Sequence, residues 1–313
     1  MAKVTVIGAG NVGGTCANVL LQKKAVSKIV LLDINAGLAE GKTIDITQSA
    51  TLLGVEDRLV GCTNDYLETA NSEVVVIASG IPRKPGMTRE ELIGTNANIV
   101  KSVTQNVLKH SPNAIIIVVS NPMDTMTYLA LKTAAISKHK IIGMGGILDS
   151  ARFKYYLSRT LNVQPKEIEA VVIGGHGDTT MIPLTRLVKV KGELVSKQLD
   201  EGVLKKIAAD TMVGGATITG LLGTSAWYAP GAASAYLVDA ILSDTKEVLP
   251  CSVYLEGEYG QSDICIGVPV VIGRNGWEKI IDLKLNDDES EAFNKSVAAV
   301  RGMNDVLDDM HVV

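Results

Sequence analysis

The stretch Val4-Thr5-Val6-Ile7-Gly8-Ala9-Gly10-Asn11-Val12-Gly13 decides the fold. Val4 to Ile7 are all β-branched and read as a strand. Gly8, Gly10 and Gly13 then space themselves as G-x-G-x-x-G, and a helical pattern follows. Strand, glycines, helix is the context in which this spacing marks a dinucleotide-binding turn. Gly8 permits the tight turn, Gly10 lets a pyrophosphate approach the backbone at the helix N-terminus, and Gly13 allows the helix to pack closely on the strand. The spacing alone is a weak signal, because turns match it by chance, and a fold of this kind without a nucleotide stays open on the glycines alone. Asp33 strengthens the reading: it ends the next strand-like run about 20 residues on. A carboxylate there accepts hydrogen bonds from the adenosine ribose and repels a 2′-phosphate, which favours NAD over NADP. The candidate cofactor-binding residues are thus Gly8, Ala9, Gly10, Asn11, Val12, Gly13 and Asp33.

Outward from this motif, residues 28–33, 74–79 and 114–120 are short, almost purely apolar runs, with a shorter one at 140–143. Strands apolar on both faces belong in a parallel sheet covered by helices on each side. Helical patterns lie between them, after Gly10, over 36–50 and over 89–110, the last closed by Ser111-Pro112-Asn113. After about residue 145 the texture changes. Helices are expected over 148–161, 200–213, 229–243 and 287–306, with strands at 169–173, 252–255 and 264–272 and a hairpin in 185–196. The expected architecture is α/β: a Rossmann doubly wound parallel sheet in residues 1–145, followed by an α+β catalytic domain in 146–313, packed as one rigid body.

Of the 313 residues, 46% are hydrophobic and 20% charged, which excludes a disordered chain. The net charge of -4 argues against nucleic acid as a partner. No apolar run approaches the ~20 residues of a membrane helix, and the N-terminal run lacks the charged region and cleavage site of a signal peptide. Cys16, Cys62, Cys251 and Cys265 are widely spaced. They are expected as thiols in a reducing cytoplasm rather than as metal ligands, and no clustered metal site is expected.

With four histidines, context decides which one can do chemistry. His110 and His139 sit beside lysines at expected helix ends, and His311 lies in the C-terminal tail. His176 stands in Gly174-Gly175-His176-Gly177-Asp178 just after an apolar strand, where flanking glycines let the backbone crowd a ligand. Alone, such a loop histidine is as often a solvent-exposed ring. Asp149 and Arg152 are three apart on an expected helix and share a face; alone, such a pair is a surface salt bridge. Ile81-Pro82-Arg83-Lys84-Pro85-Gly86-Met87-Thr88-Arg89 follows a strand C-terminus, where open α/β sheets bind ligands, though a basic loop can also be merely solvated. Together they make a base, a carboxylate to orient it, and guanidiniums suited to a dicarboxylate.

These motifs, with Val119-Ser120-Asn121-Pro122 between them, occur in order along essentially the whole chain, which resembles the lactate/malate dehydrogenase family and within it the malate-specific bacterial branch. The resemblance implies an acid/base role for His176, with Asp149 fixing its tautomer, and NAD as the cofactor. It implies that Arg152 grips the C1 carboxylate of the substrate, Arg89 polarises the C2 oxygen, and Arg83 pairs with the distal C4 carboxylate. Asn121 would touch substrate and cofactor, with Val119, Ser120 and Asn96 as further cofactor contacts, and residues 80–91 would form a lid. The Asn121-Pro122 bond matches a position that is cis in the family. Lactate dehydrogenases carry Gln where this chain has Arg83, and a buried Arg83 facing a methyl group would be costly, so malate and oxaloacetate are expected over lactate and pyruvate. The family assembles as dimers or tetramers; helices over 36–50 and 210–228 are candidate interfaces. The expected setting is the cytoplasm and the tricarboxylic acid cycle. Two other readings compete with it: a catalytically silent NAD-binding module, and an NAD-dependent glycosidase, which would use a metal.

Overall fold

A computed structural model describes residues 2–56, 58–63, 65–81 and 88–310, with the backbone alone at Cys62, Thr63 and Arg89. The apolar runs and the helical runs alternate as β1 (Ala2–Ile7), α1 (Asn11–Leu21), β2 (Val26–Asp33), α2 (Ala36–Leu52), β3 (Leu59–Thr63), β4 (Val74–Ile77), α3 (Arg89–His110), β5 (Ile115–Val118), α4 (Met123–Thr133) and β6 (Ile141–Gly143). The six strands are parallel, in the spatial order β3-β2-β1-β4-β5-β6. The chain leaves along β1, β2, β3 in one direction and resumes at β4 beside β1. The order therefore reverses between β1 and β4, and the crevice at their carboxyl ends is where such sheets take ligands.

The unbroken apolar strands follow from burial on both faces. Val74, Val76, Ile115 and Ile117 face one core cluster, whereas Val75, Ile77, Ile116 and Val118 face another. Period-2 side chains on a sheet covered twice need no polar alternation.

The second half comprises α5 (Gly145–Leu161), β7 (Ile168–Glu169), β8 (Val172–Gly174), β9 (Met181–Pro183), β10 (Lys189–Val190), β11 (Glu193–Leu194), α6 (Glu201–Met212), α7 (Gly214–Leu222), α8 (Tyr228–Leu242), β12 (Val248–Glu256), β13 (Ser262–Gly273), β14 (Gly276–Ile280) and α9 (Asp287–Asp309). Its long strands do not make a separate sheet. β12 pairs antiparallel with β6 through Ser252 and Gly143, and β13, β8 and β9 follow, so that eleven strands form one sheet among the described residues. This continuity places β8, which carries the residues before His176, in register with the nucleotide half.

Several local expectations are corrected. Residues 169–173 are not one strand: the chain divides into β7, which joins β10 and β11, and β8, which joins the main sheet. The Leu184 amide donates to the Val171 carbonyl between them. Nor are residues 210–228 one helix. α6 stops at Val213, and Gly223 ends α7 in the left-handed region at φ 70°. The short strands β3 and β14 and the helix α4 carry too little periodicity to stand out in the sequence.

Ile117 lies fully buried on a strand covered on both faces. Ile117→Ala should cost about 2–5 kcal/mol, read as a lower urea midpoint with an unchanged slope.

Candidate active site

His176 is presented by a turn built to hold it. Gly174 takes φ 86°, which an L side chain rarely adopts, and a Cβ there would lie 2.5 Å from the Thr180 carbonyl oxygen. The Thr180 hydroxyl donates to the Gly175 carbonyl at 2.9 Å, and the Ser296 hydroxyl accepts from the Gly175 amide at 2.9 Å. The imidazole Nδ1 meets Asp149 Oδ2 at 2.7 Å. Asp149 is only 2% exposed on α5. One turn on, Arg152 Nη1 donates to Asp149 Oδ1 at 3.3 Å, so the shared face expected from the i,i+3 spacing exists and points at the histidine. With a carboxylate at Nδ1, that nitrogen carries the proton and Nε2 is the basic one. Among the described residues the buried Arg152 Nε has no hydrogen-bond partner, a donor left for a carboxylate ligand.

Burial pushes the His176 imidazolium toward losing its proton. The charge of Asp149, its hydrogen bond and the charge of Asp124 outweigh burial and the opposing Arg152, so the pKa of the ring stands above its usual value. The other described histidines do structural work. His110 closes α3, and His139 stacks on Trp277 with ring centroids 4.1 Å apart.

Three contributors escape the motif reading. Asp124 Oδ2 accepts the His176 backbone N–H at 2.6 Å, and the Ser252 hydroxyl donates to Asp124 Oδ1 at 2.7 Å. Gly145 leaves room for the ring, since a Cβ there would lie 2.6 Å from His176 Cγ. The signal for Asp124 was a single acid in Met123-Asp124-Thr125-Met126-Thr127-Tyr128-Leu129-Ala130, a segment buried throughout, where an ion must have partners.

The glycine motif forms the floor of the crevice. Gly8 has φ 101°, and a Cβ on Gly13 would collide with the Gly8 carbonyl oxygen, which is the close helix–strand packing expected of it. A Cβ on Gly10 would meet nothing within 4 Å: that backbone is open to a ligand. Exposed Asn11 and half-buried Val12 begin α1 beside it. Ala9 is buried, and its N–H donates to Asp33 Oδ2 at 2.7 Å while the Asn35 N–H donates to Oδ1 at 2.9 Å. Ala9 thereby aims the carboxylate instead of facing the open side. An open glycine backbone at a helix N-terminus beside an oriented acid fits the pyrophosphate and ribose of NAD.

Asn121, exposed and joined to Pro122 by a cis bond, follows Val119 and buried Ser120 at the end of β5. The Ser120 hydroxyl donates to the Ser79 carbonyl at 2.5 Å. Asn96 is 1% exposed. Its amide accepts from the Ile81 N–H at 2.8 Å and donates to the carbonyls of Ile81 at 3.2 Å and Asn121 at 2.8 Å. In this conformation Asn96 bonds to the protein backbone and fixes Asn121 and the start of the expected lid. At the far end, Thr88 and Glu91 cap α3 reciprocally. Arg83 and the rest of 82–87, and the side chain of Arg89, lie outside the described residues. Among the described residues no group of His, Cys, Asp and Glu could hold a metal, and no helix is long and apolar enough to cross a membrane.

Residues 2–143 match the lactate/malate dehydrogenase NAD binding domain, and residues 147–305 match the lactate/malate dehydrogenase alpha/beta C-terminal domain. A protein of Flavobacterium frigidimaris named malate dehydrogenase is 66% identical over 305 residues, covering 97% of this chain and 98% of its own. Malate dehydrogenase from Salinibacter ruber, whose structure is solved, superposes with a TM-score of 0.93 at 41% identity, covering 99% of this chain and 98% of its own. A lactate dehydrogenase of Cryptosporidium parvum, solved with lactic acid and β-nicotinamide adenine dinucleotide, superposes almost as well, with a TM-score of 0.92 at 36% identity and 98% of each chain covered. The fold is therefore common to both substrates, and the oriented histidine, its carboxylate and the nucleotide crevice lie where both family models match: the chain belongs to the lactate/malate dehydrogenase family.

Proposed function

We propose that the chain is an NAD-dependent malate dehydrogenase, interconverting malate and oxaloacetate with His176 as the acid/base. The observation that carries this reading is the buried Asp149–His176 hydrogen bond of 2.7 Å with Arg152 alongside. In malate oxidation, neutral His176 takes the C2 hydroxyl proton on Nε2 while Asp149 holds Nδ1–H and stabilises the imidazolium that forms. Bound NAD would supply the acceptor for the C2 hydride, and NADH the hydride for the reverse direction. Gly8, Gly10, Asn11, Val12, Gly13 and Asp33 would hold its adenosine and pyrophosphate, and Val119, Ser120 and Asn121 the nicotinamide side, with Ala9 and Asn96 supporting them. Arg152 would grip the C1 carboxylate with two parallel hydrogen bonds and Arg89 would polarise the C2 oxygen. Closure of the lid, pinned at both ends, would exclude water from the charged site.

Substrate choice falls to Arg83, read from the sequence. A second carboxylate gives its guanidinium a partner, and a methyl group gives it none. The 66% identity to a protein named malate dehydrogenase supports the same choice. Free thiols at Cys16, Cys251 and Cys265 are buried, and burial pushes Cys16 up to about 12. They suit a reducing compartment, so we place the reaction in the cytoplasm and in the tricarboxylic acid cycle. α2 and α7 carry large exposed apolar side chains, Leu52 at 90% and Leu221 at 82% among them. A cavity of about 600 Å³ opens between α5 and α8, lined by Ala151, Ala229, Ala233 and Tyr236. Such surfaces support a homodimer or homotetramer.

Four outcomes are expected. Arg83→Gln should lower kcat/KM for oxaloacetate by about 10²–10³-fold, the equivalent of ~3–4 kcal/mol, and raise that for pyruvate; unchanged discrimination in paired assays would remove Arg83 from substrate choice. Because neutral His176 is the form that accepts a proton and its pKa is raised, kcat/KM for malate should climb through a pKa above about 6.5. Oxaloacetate reduction, which needs the imidazolium, should decline over the same interval. Asp149→Asn should move that transition to lower pH and cut kcat about 10⁴-fold, as loss of an orienting carboxylate does elsewhere. Finally, sedimentation at micromolar concentration should give a dimer or tetramer; a monomer would contradict the assembly.

A further inference from the structure

We propose that Asp124 is a positioning residue for the acid/base step, its buried carboxylate fixing the backbone of His176 while Asp149 fixes the ring. This rests on His176 being the acid/base. Asp124 lies on the first turn of α4, directly after the cis Asn121-Pro122 bond, and is 3% exposed. Each of its oxygens has one short bond: Oδ2 accepts the His176 N–H at 2.6 Å, and Oδ1 accepts the Ser252 hydroxyl at 2.7 Å. One side chain thus ties the Asn121 segment, the His176 turn and β12 together. With the ring held at Nδ1 by Asp149 and the backbone held at N by Asp124, the imidazole is fixed at both ends, and Nε2 has one direction to point.

The charge matters as well as the bond. A neutral amide could also accept the His176 N–H, and it would avoid the cost of burying an ion. The carboxylate instead favours the imidazolium, the state that malate oxidation creates and oxaloacetate reduction requires. Among the described residues, the charged groups bearing on His176 are Asp149 and Arg152 from α5 and Asp124 from α4. Those bearing on Asp124 are His176 and Asp149, while Cys265 of β13 is kept a neutral thiol by its burial. Burial, with the charge of Asp149, holds the Asp124 carboxyl above its usual pKa, while the hydrogen bonds from Ser252 and the His176 N–H and the charge of His176 limit that rise.

Asp124→Asn is close to isosteric and keeps an acceptor for the His176 N–H. With only four histidines in the chain, the ring of His176 can be titrated by NMR in the free enzyme, beside pH profiles of kcat/KM. The variant should bind NADH within about twofold of wild type. The His176 pKa and the acid limb for malate should both fall by about 0.5–1 unit, and oxaloacetate reduction above that limb should lose about 3–10-fold in kcat with little change in KM, as expected for a single partly screened charge. Ser252→Ala removes the hydroxyl that supports the charge and should shift the profile the same way by less. Titrations and profiles that superimpose on wild type in whichever variants fold would overturn the inference. A His176→Asn variant separates the two failures. If it retains wild-type kcat, the acid/base reading itself is wrong; if it is inactive while Asp124→Asn titrates as wild type, only the role of Asp124 falls.

Discussion

The hydrogen bond between Asp149 and His176 is the constraint on which the rest of the structure converges. It joins α5, which follows β6, to the turn after β8, and the part of the sheet that runs from β6 through β12 and β13 to β8 carries the two elements to a 2.7 Å contact. A loop histidine gains chemical use only when its rotation and tautomer are fixed. Here the fixing groups are buried and come from different parts of the chain. Continuity of the sheet through the β6–β12 pairing is what makes the two family-matched halves one catalytic unit.

Glycine is the means by which backbones approach closely enough for this. Gly13 brings α1 against β1, Gly145 admits the imidazole beside α5, and Gly267 on β13 packs against Gly174, whose carbonyl oxygen lies 2.5 Å from where a Cβ would sit. Gly10 is different: among the described residues nothing lies within 4 Å of where its Cβ would sit, which leaves room for a ligand against the chain. The same residue type thus closes space at some positions and leaves it open at another, and the surroundings tell the two apart.

Much of this was legible in the sequence, for identifiable reasons. The parallel half announced itself because strands buried on both faces are unbroken apolar runs, and the Asp149–Arg152 face followed from helical spacing. What stayed hidden depended on long-range pairing. Nothing local marks the division of residues 169–173 between two sheets, since it is decided by which partners, β10 or β13, each half meets. Asp124 carries no motif; its role arises because Ser252, far along the chain, folds back to it. Asn96, expected as a cofactor contact, is buried and bonds to the backbone of Ile81 and Asn121, a fixing role that no local pattern announces. Residues 82–87, with Arg83, lie outside the described part, so the argument for substrate choice stays with the chemistry of a guanidinium and its partner.

Since the fold superposes on malate and lactate dehydrogenases almost equally well, with TM-scores of 0.93 and 0.92, geometry alone does not divide the two activities, and the comparison of substrates on the wild-type enzyme is decisive. Initial rates of NADH oxidation, measured side by side with oxaloacetate and with pyruvate, should give a kcat/KM for oxaloacetate at least about 10²-fold above that for pyruvate, the discrimination expected when one buried guanidinium is paired or left unpaired. A preference for pyruvate would contradict the malate reading.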